Sequence, residues 1–186
     1  MNAEFVNGSP DDAPRDLTLP STALAALWST LHRKAGSPAA TQALHAAGHE
    51  SGTALYHSLD GSVPGSLAEL DEGTFWDRVE EAFRRRGWGT LKHRRVHSGL
   101  GLLSTADWAE AEASNGHTHS GCAFTSGLLV GFLGRAAGQP LAVLEVGCRT
   151  RGDGECHFAF GSERAIQELY GLLLDGLDLD QALGHL

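Results

Sequence analysis

The run GCAFTSGLLVGFLGRAAGQPLAVLEVGCRTRGDGECHFAFGS, residues 121–162, carries the pattern that decides the fold. Residues 122–137 form an apolar stretch with helical spacing, and Gly138-Gln139-Pro140 ends it. Two β-type segments follow and flank the tight turn at 151–154. This order predicts a helix that is followed by an antiparallel hairpin.

All three cysteines of the chain lie in this run, with the spacing Cys122-x25-Cys148-x7-Cys156. The predicted hairpin brings Cys148 and Cys156 together, and Cys122 opens the helix, where free N–H groups favour a thiolate. Thiolates suit Zn²⁺, which usually takes four ligands. Three reduced, buried cysteines are the alternative interpretation. The candidates for a fourth ligand are Glu145, His157, His117 and His119.

Strand geometry leaves the fourth ligand open. On a regular strand Glu145 and Cys148 point to opposite faces because they are three residues apart. A bulge at Gly147 could re-aim one of the two side chains. His157 directly follows Cys156 and therefore also points to the opposite face.

Outward from this run, the chain reads as helices and a second hairpin. Gly48 and Gly52 lie four residues apart within the second helix, which favours a close helix contact or a dimer seam. A four-stranded antiparallel sheet packed with helices, an α+β class, is therefore predicted. The predicted elements are a helix capped by Ser21, a helix from Ser37-Pro38 to about Leu59, a helix capped by Thr74 that ends at Arg86, strands at 88–96 and 100–104, and a last helix capped by Ser162.

The length and the net charge of the chain limit the number of domains and the classes of partner that we expect. The chain has 186 residues and a formal charge of −9, which fits one domain and argues against nucleic acid as a partner. No apolar run reaches the ~20 residues that span a bilayer, and the first residues show no signal-peptide pattern. We therefore expect a cytoplasmic protein with a flexible arm at 1–20, one domain at 21–175 and a tail at 176–186.

Residues 121–162 resemble the 4-vinyl reductase domain family, and the likeness extends less specifically over about 21–175. The family pattern is a Cys opening a helix with Phe-Thr-x-Gly, then Gly-x-Pro, Glu-x-x-Cys and Gly-Asp-x-x-Cys-x-Phe. The matching residues are Cys122, Phe124, Thr125, Gly127, Gly138, Pro140, Glu145, Cys148, Gly152, Asp153, Cys156 and Phe158.

The resemblance implies a fold shared with transport-particle (TRAPP) tethering subunits and haem-based nitric oxide sensor domains, and it implies a homodimer. It also implies a zinc ion held by Cys122, Glu145, Cys148 and Cys156 as in the phenol and xylene sensors of the family. With four protein ligands, such a zinc ion would be structural. The chain carries no GxxxxGK[ST] P-loop. We therefore expect its output to pass to a protein partner or to be chemistry within the domain.

The function predicted from this resemblance is the binding of a small hydrophobic or aromatic ligand for sensing or delivery. One alternative is a reductase or accessory protein in tetrapyrrole (bacteriochlorophyll) synthesis, which leaves a tetrapyrrole cofactor open. Another is a protein-interaction module like the tethering subunits. No catalytic set is visible, so an enzyme is the less favoured interpretation. The candidate ligand contacts are Phe75, Trp76, Phe83, Trp88, His93, Trp108 and Phe124, with Leu102 and His97 as further candidates.

Two histidines, His45 and His49, are spaced i,i+4 on the predicted second helix. This spacing could hold a metal ion, and an exposed helix face is the favoured alternative.

Overall fold

The computed structural model describes residues 17–113 and 121–186 and has an α+β fold. One antiparallel sheet has the strand order β1-β2-β4-β3, so the predicted class and the four-stranded sheet are confirmed. The elements are α1 (Thr22–Ala35), α2 (Ser37–Asp60), α3 (Glu72–Arg85), β1 (Lys92–His97), β2 (Leu100–Thr105), α4 (Ala109–Ala113), α5 (Ala123–Ala137), β3 (Ala142–Gly147), β4 (Cys156–Gly161), α6 (Glu163–Leu174) and α7 (Leu179–Gly184).

The two central strands, β2 and β4, supply both cores of the molecule. Leu103 pairs with Phe158, and both side chains are fully buried in the cluster formed with α2, α3 and α5. Their neighbours Leu102 and Ala159 belong to a second cluster with α6 and α7. Because successive side chains of a strand alternate between faces, the sheet lies between two layers of helices.

The contact between α2 and α5 is made by backbone atoms. A Cβ atom added at Gly48 would lie 2.0 Å from the carbonyl oxygen of Phe124, and one at Gly127 would lie 2.0 Å from that of His45. Only glycine allows two helix backbones to approach this closely. The glycine spacing predicted either a close helix contact or a dimer seam, and within this chain it makes the helix contact.

Of the helix caps predicted at Ser21, Thr74 and Ser162, the first two are wrong and the last is confirmed. Ser21 has helical dihedral angles and no capping hydrogen bond. Asp71 caps α3, because its carboxylate accepts hydrogen bonds from the backbone N–H and the hydroxyl of Thr74. Ser162 caps α6 by accepting from the N–H of Ala165, as predicted.

The first strand begins at Lys92 and not at Trp88 as predicted. Trp88 follows Gly87, which has a φ of 77°, and its N–H donates to the carbonyl of Phe83. The carbonyl of Trp88 accepts from the N–H of Ala109, at the start of α4. Trp88 therefore lies in a turn that joins the end of α3 to α4.

The end of the chain packs against the second face of the sheet. Asp178 and Gln181 form a capping box at the start of α7, and Ala182 is fully buried in the cluster with α6. Residues 1–16 and 114–120 lie outside the described residues, so most of the predicted arm and the loop with His117 and His119 lie there too. None of the helices in the described ranges has both the length and the hydropathy to cross a membrane.

Candidate metal centre and ligand cavity

The four residues that the resemblance implied as metal ligands lie together at the corner between α5 and the β3–β4 hairpin. One ligand atom from each of Cys122, Glu145, Cys148 and Cys156 lies within 4.8 Å of the others. The Cys122 sulfur is 3.8 Å from that of Cys148 and 3.9 Å from that of Cys156. All three thiols are fully buried. This is the one group of three or more potential metal ligands in the described part of the chain.

A β-bulge brings Glu145 into this cluster. The pairing of β3 with β4 shifts register between Glu145 and Gly147, opposite Phe158 and His157. The extra residue re-aims the strand, so Glu145 and Cys148 reach the same cluster although they are three residues apart. A Cβ atom at Gly147 would lie 2.8 Å from Nδ1 of His157, so the bulge also needs a residue without a side chain.

Backbone and side-chain groups of the hairpin surround the sulfur atoms. The hydroxyl of Thr150 lies 3.0 Å from the Cys148 sulfur, and the N–H of Arg149 donates to the Cys156 sulfur over 3.5 Å. Asp153 fixes the turn by accepting from the N–H of Cys148 over 2.6 Å. Such second-layer hydrogen bonds orient sulfur ligands and stabilise thiolates.

Burial and the nearby sulfur atoms shift the pKa values of the groups in this corner. Burial, followed by the negative charge of Cys148, raises the pKa of Glu145 well above its usual range. Hydrogen bonding with Cys148 and Cys156 raises the pKa of Cys122, and the Cys122 thiol lowers that of Cys148. Oε1 of Glu145 is buried and has no hydrogen-bond partner among the described residues. A buried carboxylate oxygen without a partner is costly.

The histidine alternatives are placed elsewhere. The Nε2 atom of His157 lies 3.5 Å from Glu155 and forms an ion pair with it when protonated. His45 is half-buried on α2, and burial, followed by the nearby His49, lowers its pKa. His117 and His119 lie outside the described residues.

A buried hydrogen-bond network lies next to the metal cluster at the start of α5. The Glu110 carboxylate accepts from the backbone N–H groups of Phe124 and Thr125, over 3.0 and 2.8 Å, and from the Thr125 hydroxyl. The same hydroxyl accepts from Nε1 of Trp108 over 2.6 Å. Burial raises the pKa of Glu110 to about 7, although its hydrogen bonds act in the opposite direction. Glu110 thus caps α5 from another helix.

A cavity of about 510 Å³ lies on the other side of this network. It is bordered by the chain before α1, by α1, α2 and α5, and by the turn after α3. Its lining is mostly apolar, with Glu110 as a buried charged residue and Arg86 as an exposed one. The lining residues are Leu17, Thr18, Leu19, Pro20, Ser21, Leu24, Ser51, Ala54, Leu55, Arg86, Gly87, Trp88, Ala109, Glu110, Phe124 and Leu128.

Two of the predicted ligand contacts line this cavity. The rings of Trp88 and Phe124 are stacked at 5.7 Å with an interplanar angle of 8°. Phe83 and Trp108 are fully buried in the core behind them, with their ring centroids 5.4 Å apart. Phe75 packs on the same core. Leu102 lies on the other face of the sheet.

Trp76 of α3 and His93 of β1 are not among the residues that line this cavity. Their rings stack at 4.0 Å, and they line an open groove between α3 and β1 together with Glu72, Asp77 and Glu80. Burial lowers the pKa of His93 in this stack. His97, the other histidine of β1, stands at the bulged end of its pairing with β2.

Sequence reasoning missed Glu110, the charged residue buried in the cavity wall. It lies in the run Ala-Glu-Ala-Glu-Ala at 109–113, where Glu112 is exposed and forms an ion pair with Arg149. Two identical residues two positions apart therefore have opposite environments. Only the packing of α4 on the start of α5 distinguishes them, and no local pattern encodes that packing.

The comparisons with known proteins agree with this architecture. The family model of the 4-vinyl reductase domain matches residues 104–162, which include all four clustered metal-ligand candidates, and this confirms the family resemblance. No protein of curated function matches the sequence.

Two solved structures share the fold. The phenol-responsive sensory domain of the transcription activator PoxR, solved with phenol, superposes with a TM-score of 0.67 at 16% identity, covering 80% of this chain and 77% of that one. A vinyl-4-reductase family protein from Methanocaldococcus jannaschii superposes with a TM-score of 0.51 at 16% identity, covering 79% of this chain and 82% of that one.

Proposed function

We propose that this chain is a zinc-stabilised domain that binds a small hydrophobic or aromatic molecule for sensing or delivery. The observation that carries the proposal is the cavity of about 510 Å³ between α1, α2 and α5. This volume lies in the range of small-molecule sites. The match to the 4-vinyl reductase domain and the shared fold with a phenol-responsive sensory domain support the same function class.

The walls of the cavity suit an apolar ligand. Leu55 and Leu128 are buried side chains of two different helices, and the stacked rings of Trp88 and Phe124 offer a flat aromatic surface. Apolar walls with a few polar groups are typical of small-molecule sites. An apolar ligand in this space would stabilise the fold according to its concentration and affinity.

The corner of three cysteines and Glu145 fits a zinc ion. Sulfur atoms placed tetrahedrally at a Zn–S distance of about 2.3 Å are ~3.8 Å apart, and the two Cys122 distances are 3.8 and 3.9 Å. A divalent cation also supplies the partner that Oε1 of Glu145 lacks among the described residues. Zinc bound there would hold the start of α5 against the β3–β4 hairpin.

A zinc ion at this site would have a structural role. Four protein ligands fill a tetrahedral coordination sphere and leave no position for a substrate. All three cysteines are fully buried, so the sulfur ligands are shielded from solvent. The ligand cavity and the metal centre are therefore separate parts of the proposed function.

A homodimer is part of the proposal, and α1 is the helix that supports it. None of the residues of α1 is buried, although Leu24, Leu27 and Leu31 recur at helical spacing. Leu27 exposes 46% of its surface, and Leu17, just before the helix, exposes 80%. A second copy packed on this helix would cover these leucines and one wall of the cavity.

The experiment that tests ligand binding compares thermal stability with and without small aromatic and aliphatic compounds. Ala54→Phe places a ring in the cavity wall, and Ala47→Phe places the same ring on an exposed position of the same helix. We expect compounds that raise the Tm of the wild type and of Ala47→Phe to have no effect on Ala54→Phe. Equal shifts in all three proteins would place binding outside this cavity and overturn the proposal.

Native mass spectrometry of tag-free protein tests the metal and the dimer together. The expected species is a dimer with one zinc per chain, and any extra mass lost on denaturation identifies a bound ligand. A metal-free monomer would contradict both parts. Co-purification of another protein with an empty cavity would favour the interaction module instead.

A further inference from the structure

The cavity between α1, α2 and α5 has space for more than one aromatic ring. Its volume is about 510 Å³. An engineered cavity of about 150 Å³ with leucine, isoleucine and phenylalanine walls already binds benzene. A single ring would therefore leave most of this space filled with water, and the apolar walls beyond the ring would stay hydrated.

Two exposed leucines form part of the outer wall of the cavity. Leu17 exposes 80% of its surface and Leu19 exposes 60%, although both line the cavity. Leu24 of α1 continues this wall and is half-buried. Exposed apolar surface that lines a cavity is surface that a ligand can cover. A ligand that contacts the inner and the outer wall removes more apolar area from water than one ring does.

The inner wall favours a flat, rigid ligand. Leu55 and Leu128 are buried there, and the rings of Trp88 and Phe124 are stacked with an interplanar angle of 8°. Aromatic rings gain from stacking on each other beyond the area that they bury. A fused-ring compound also loses no internal rotations on binding, whereas a flexible chain of the same volume does.

The polar groups of the wall do not call for a charged ligand. Both oxygens of the Glu110 carboxylate accept hydrogen bonds from the start of α5, and Nη1 of Arg86 donates to the carbonyl of Ala82 over 3.3 Å. The hydroxyl groups of the lining belong to exposed residues, which are Thr18, Ser21 and Ser51. A neutral ligand therefore fits these walls without breaking a hydrogen bond of the protein.

On the basis of the proposed function, we propose that this cavity takes neutral compounds of two or three fused aromatic rings, which reach from the Trp88–Phe124 pair to Leu17 and Leu19. The ring at the inner end lies against the aromatic pair. The ring at the outer end covers the two exposed leucines.

Three compounds with one hydroxyl group each test the size of the ligand: phenol, 2-naphthol and 9-phenanthrol, with one, two and three fused rings. The protein is titrated into each compound in a calorimeter. We expect the affinity to rise about tenfold or more with each added ring, because each ring buries further apolar area. Decahydro-2-naphthol has the carbon skeleton of 2-naphthol without its flat rings, and we expect it to bind about two- to tenfold more weakly.

Two exposed leucines provide variants that leave the folded core intact. In the double variant Leu17→Ser, Leu19→Ser, the affinity of 9-phenanthrol should fall about fivefold or more, and that of phenol by less than about twofold. Leu174→Ser is the matched control, since Leu174 exposes 68% of its surface on α6 and does not line the cavity. We expect the control to bind all three compounds like the wild type.

The outcomes separate this inference from the proposed function. If phenol gives a shift that Ala54→Phe removes, and the larger compounds bind no more tightly, the fused-ring class is wrong and the proposed function stands. Equal affinities of 2-naphthol and decahydro-2-naphthol would show that the cavity selects apolar volume and not flat rings, which also overturns the class. If no compound gives a shift that Ala54→Phe removes, the proposed function itself fails.

The leucine variant has its own contradictory result. If it binds 9-phenanthrol like the wild type but dissociates from its second copy more easily, the partner copy covers Leu17 and Leu19. The ligand then does not reach the outer wall, and the inference is wrong.

Discussion

The start of α5 separates two sites that are built in opposite ways. On one side Cys122 meets two further thiols and Glu145 in a cluster with all its ligand atoms within 4.8 Å. On the other side Phe124 borders a cavity of about 510 Å³ with mostly apolar walls. The first site brings four ligand atoms close together, and the second is a space lined by apolar side chains and one buried glutamate, Glu110. A closed site of this kind suits a structural ion, and an open one suits an exchangeable ligand.

The largest effect is expected when one ligand of the metal cluster is removed. Cys148→Ser should lose the metal and lower the free energy of unfolding by more than about 3 kcal/mol, because the binding energy of structural zinc is also folding energy. Metal content by mass spectrometry and urea denaturation measure the two effects. His157→Gln is the matched control, and we expect it to keep one zinc per chain. One zinc per chain in Cys148→Ser would contradict the assignment of Cys148 as a metal ligand.

The next largest effect is expected from disrupting the close contact between α2 and α5. A Cβ atom at Gly52 would lie 2.0 Å from the carbonyl oxygen of Leu128, which lines the cavity. Gly52→Ala should therefore cost about 1–3 kcal/mol and weaken ligand binding. Gly171 of α6 is exposed with nothing within 4 Å of an added Cβ, so Gly171→Ala should stabilise the protein by about 0.4–1 kcal/mol. Equal effects of the two changes would contradict the close helix contact.

A smaller effect is expected from changes in the hydrogen-bond network around Thr125, and it tests whether this network is independent of the metal centre. Thr125→Val removes the acceptor of the buried Trp108 N–H, which should cost about 1–3 kcal/mol in chemical denaturation. Ser126→Ala removes a half-buried hydroxyl that donates to the carbonyl of Cys122, and its cost should stay below about 1 kcal/mol. Both variants should keep their zinc. Loss of zinc from Thr125→Val alone would mean that the two sites are not independent.

The smallest effect concerns pH at the outer groove, which belongs to neither site. Burial, opposed by Glu72 and aided by Arg95, lowers the pKa of His93 below its unfolded value of about 6.5. The unfolded chain therefore binds the proton first, and the contribution of His93 to stability is present above pH 6.5 and lost as the pH falls below it.

Stability measured from pH 7.5 to 5.5 should fall further for the wild type than for His93→Gln, by less than about 1 kcal/mol. His97→Gln, on the same strand, controls for the loss of a histidine. Parallel curves for the wild type and His93→Gln would contradict the pKa shift.

Hydrophobic periodicity and turn residues predicted most of the elements, because these signals are local. Ser162 marks the start of the last long helix through its side chain, and the structure has this cap. The hairpin is present, but its connection runs from 148 to 155 with a 3-10 turn at Arg149–Arg151, and the predicted tight turn at 151–154 is wrong. Thr74 was the wrong cap because Asp71 stands three residues earlier and its carboxylate accepts from Thr74 itself. An aromatic residue before alternating side chains predicts a strand at Trp88, whereas a positive φ at Gly87 turns the chain there.

The two sites differed in how far sequence could predict them. The metal cluster needs particular residue types at fixed spacing, so three cysteines and the possible bulge at Gly147 pointed to it, and the family resemblance supplied Glu145. The register shift between Glu145 and Gly147 is present. The cavity depends on where three helices leave space between them, and no local pattern encodes that. Sequence therefore predicts aromatic contacts without distinguishing Trp88 and Phe124, which line the cavity, from Phe83 and Trp108, which lie in the core.

The backbone contact of α2 with α5 also limits how this protein can change over evolutionary time. Glycines on both helices fit against carbonyl groups of the other, so neither helix can slide or turn alone. Inserting one residue between Thr125 and Gly127 would turn the preceding part of α5 by about 100° relative to the contact at Gly127. Cys122, Phe124 and Thr125 would leave the metal corner, the cavity wall and the Glu110 network together. Substitutions can therefore alter the cavity lining one residue at a time, while the length of this helix start must remain constant.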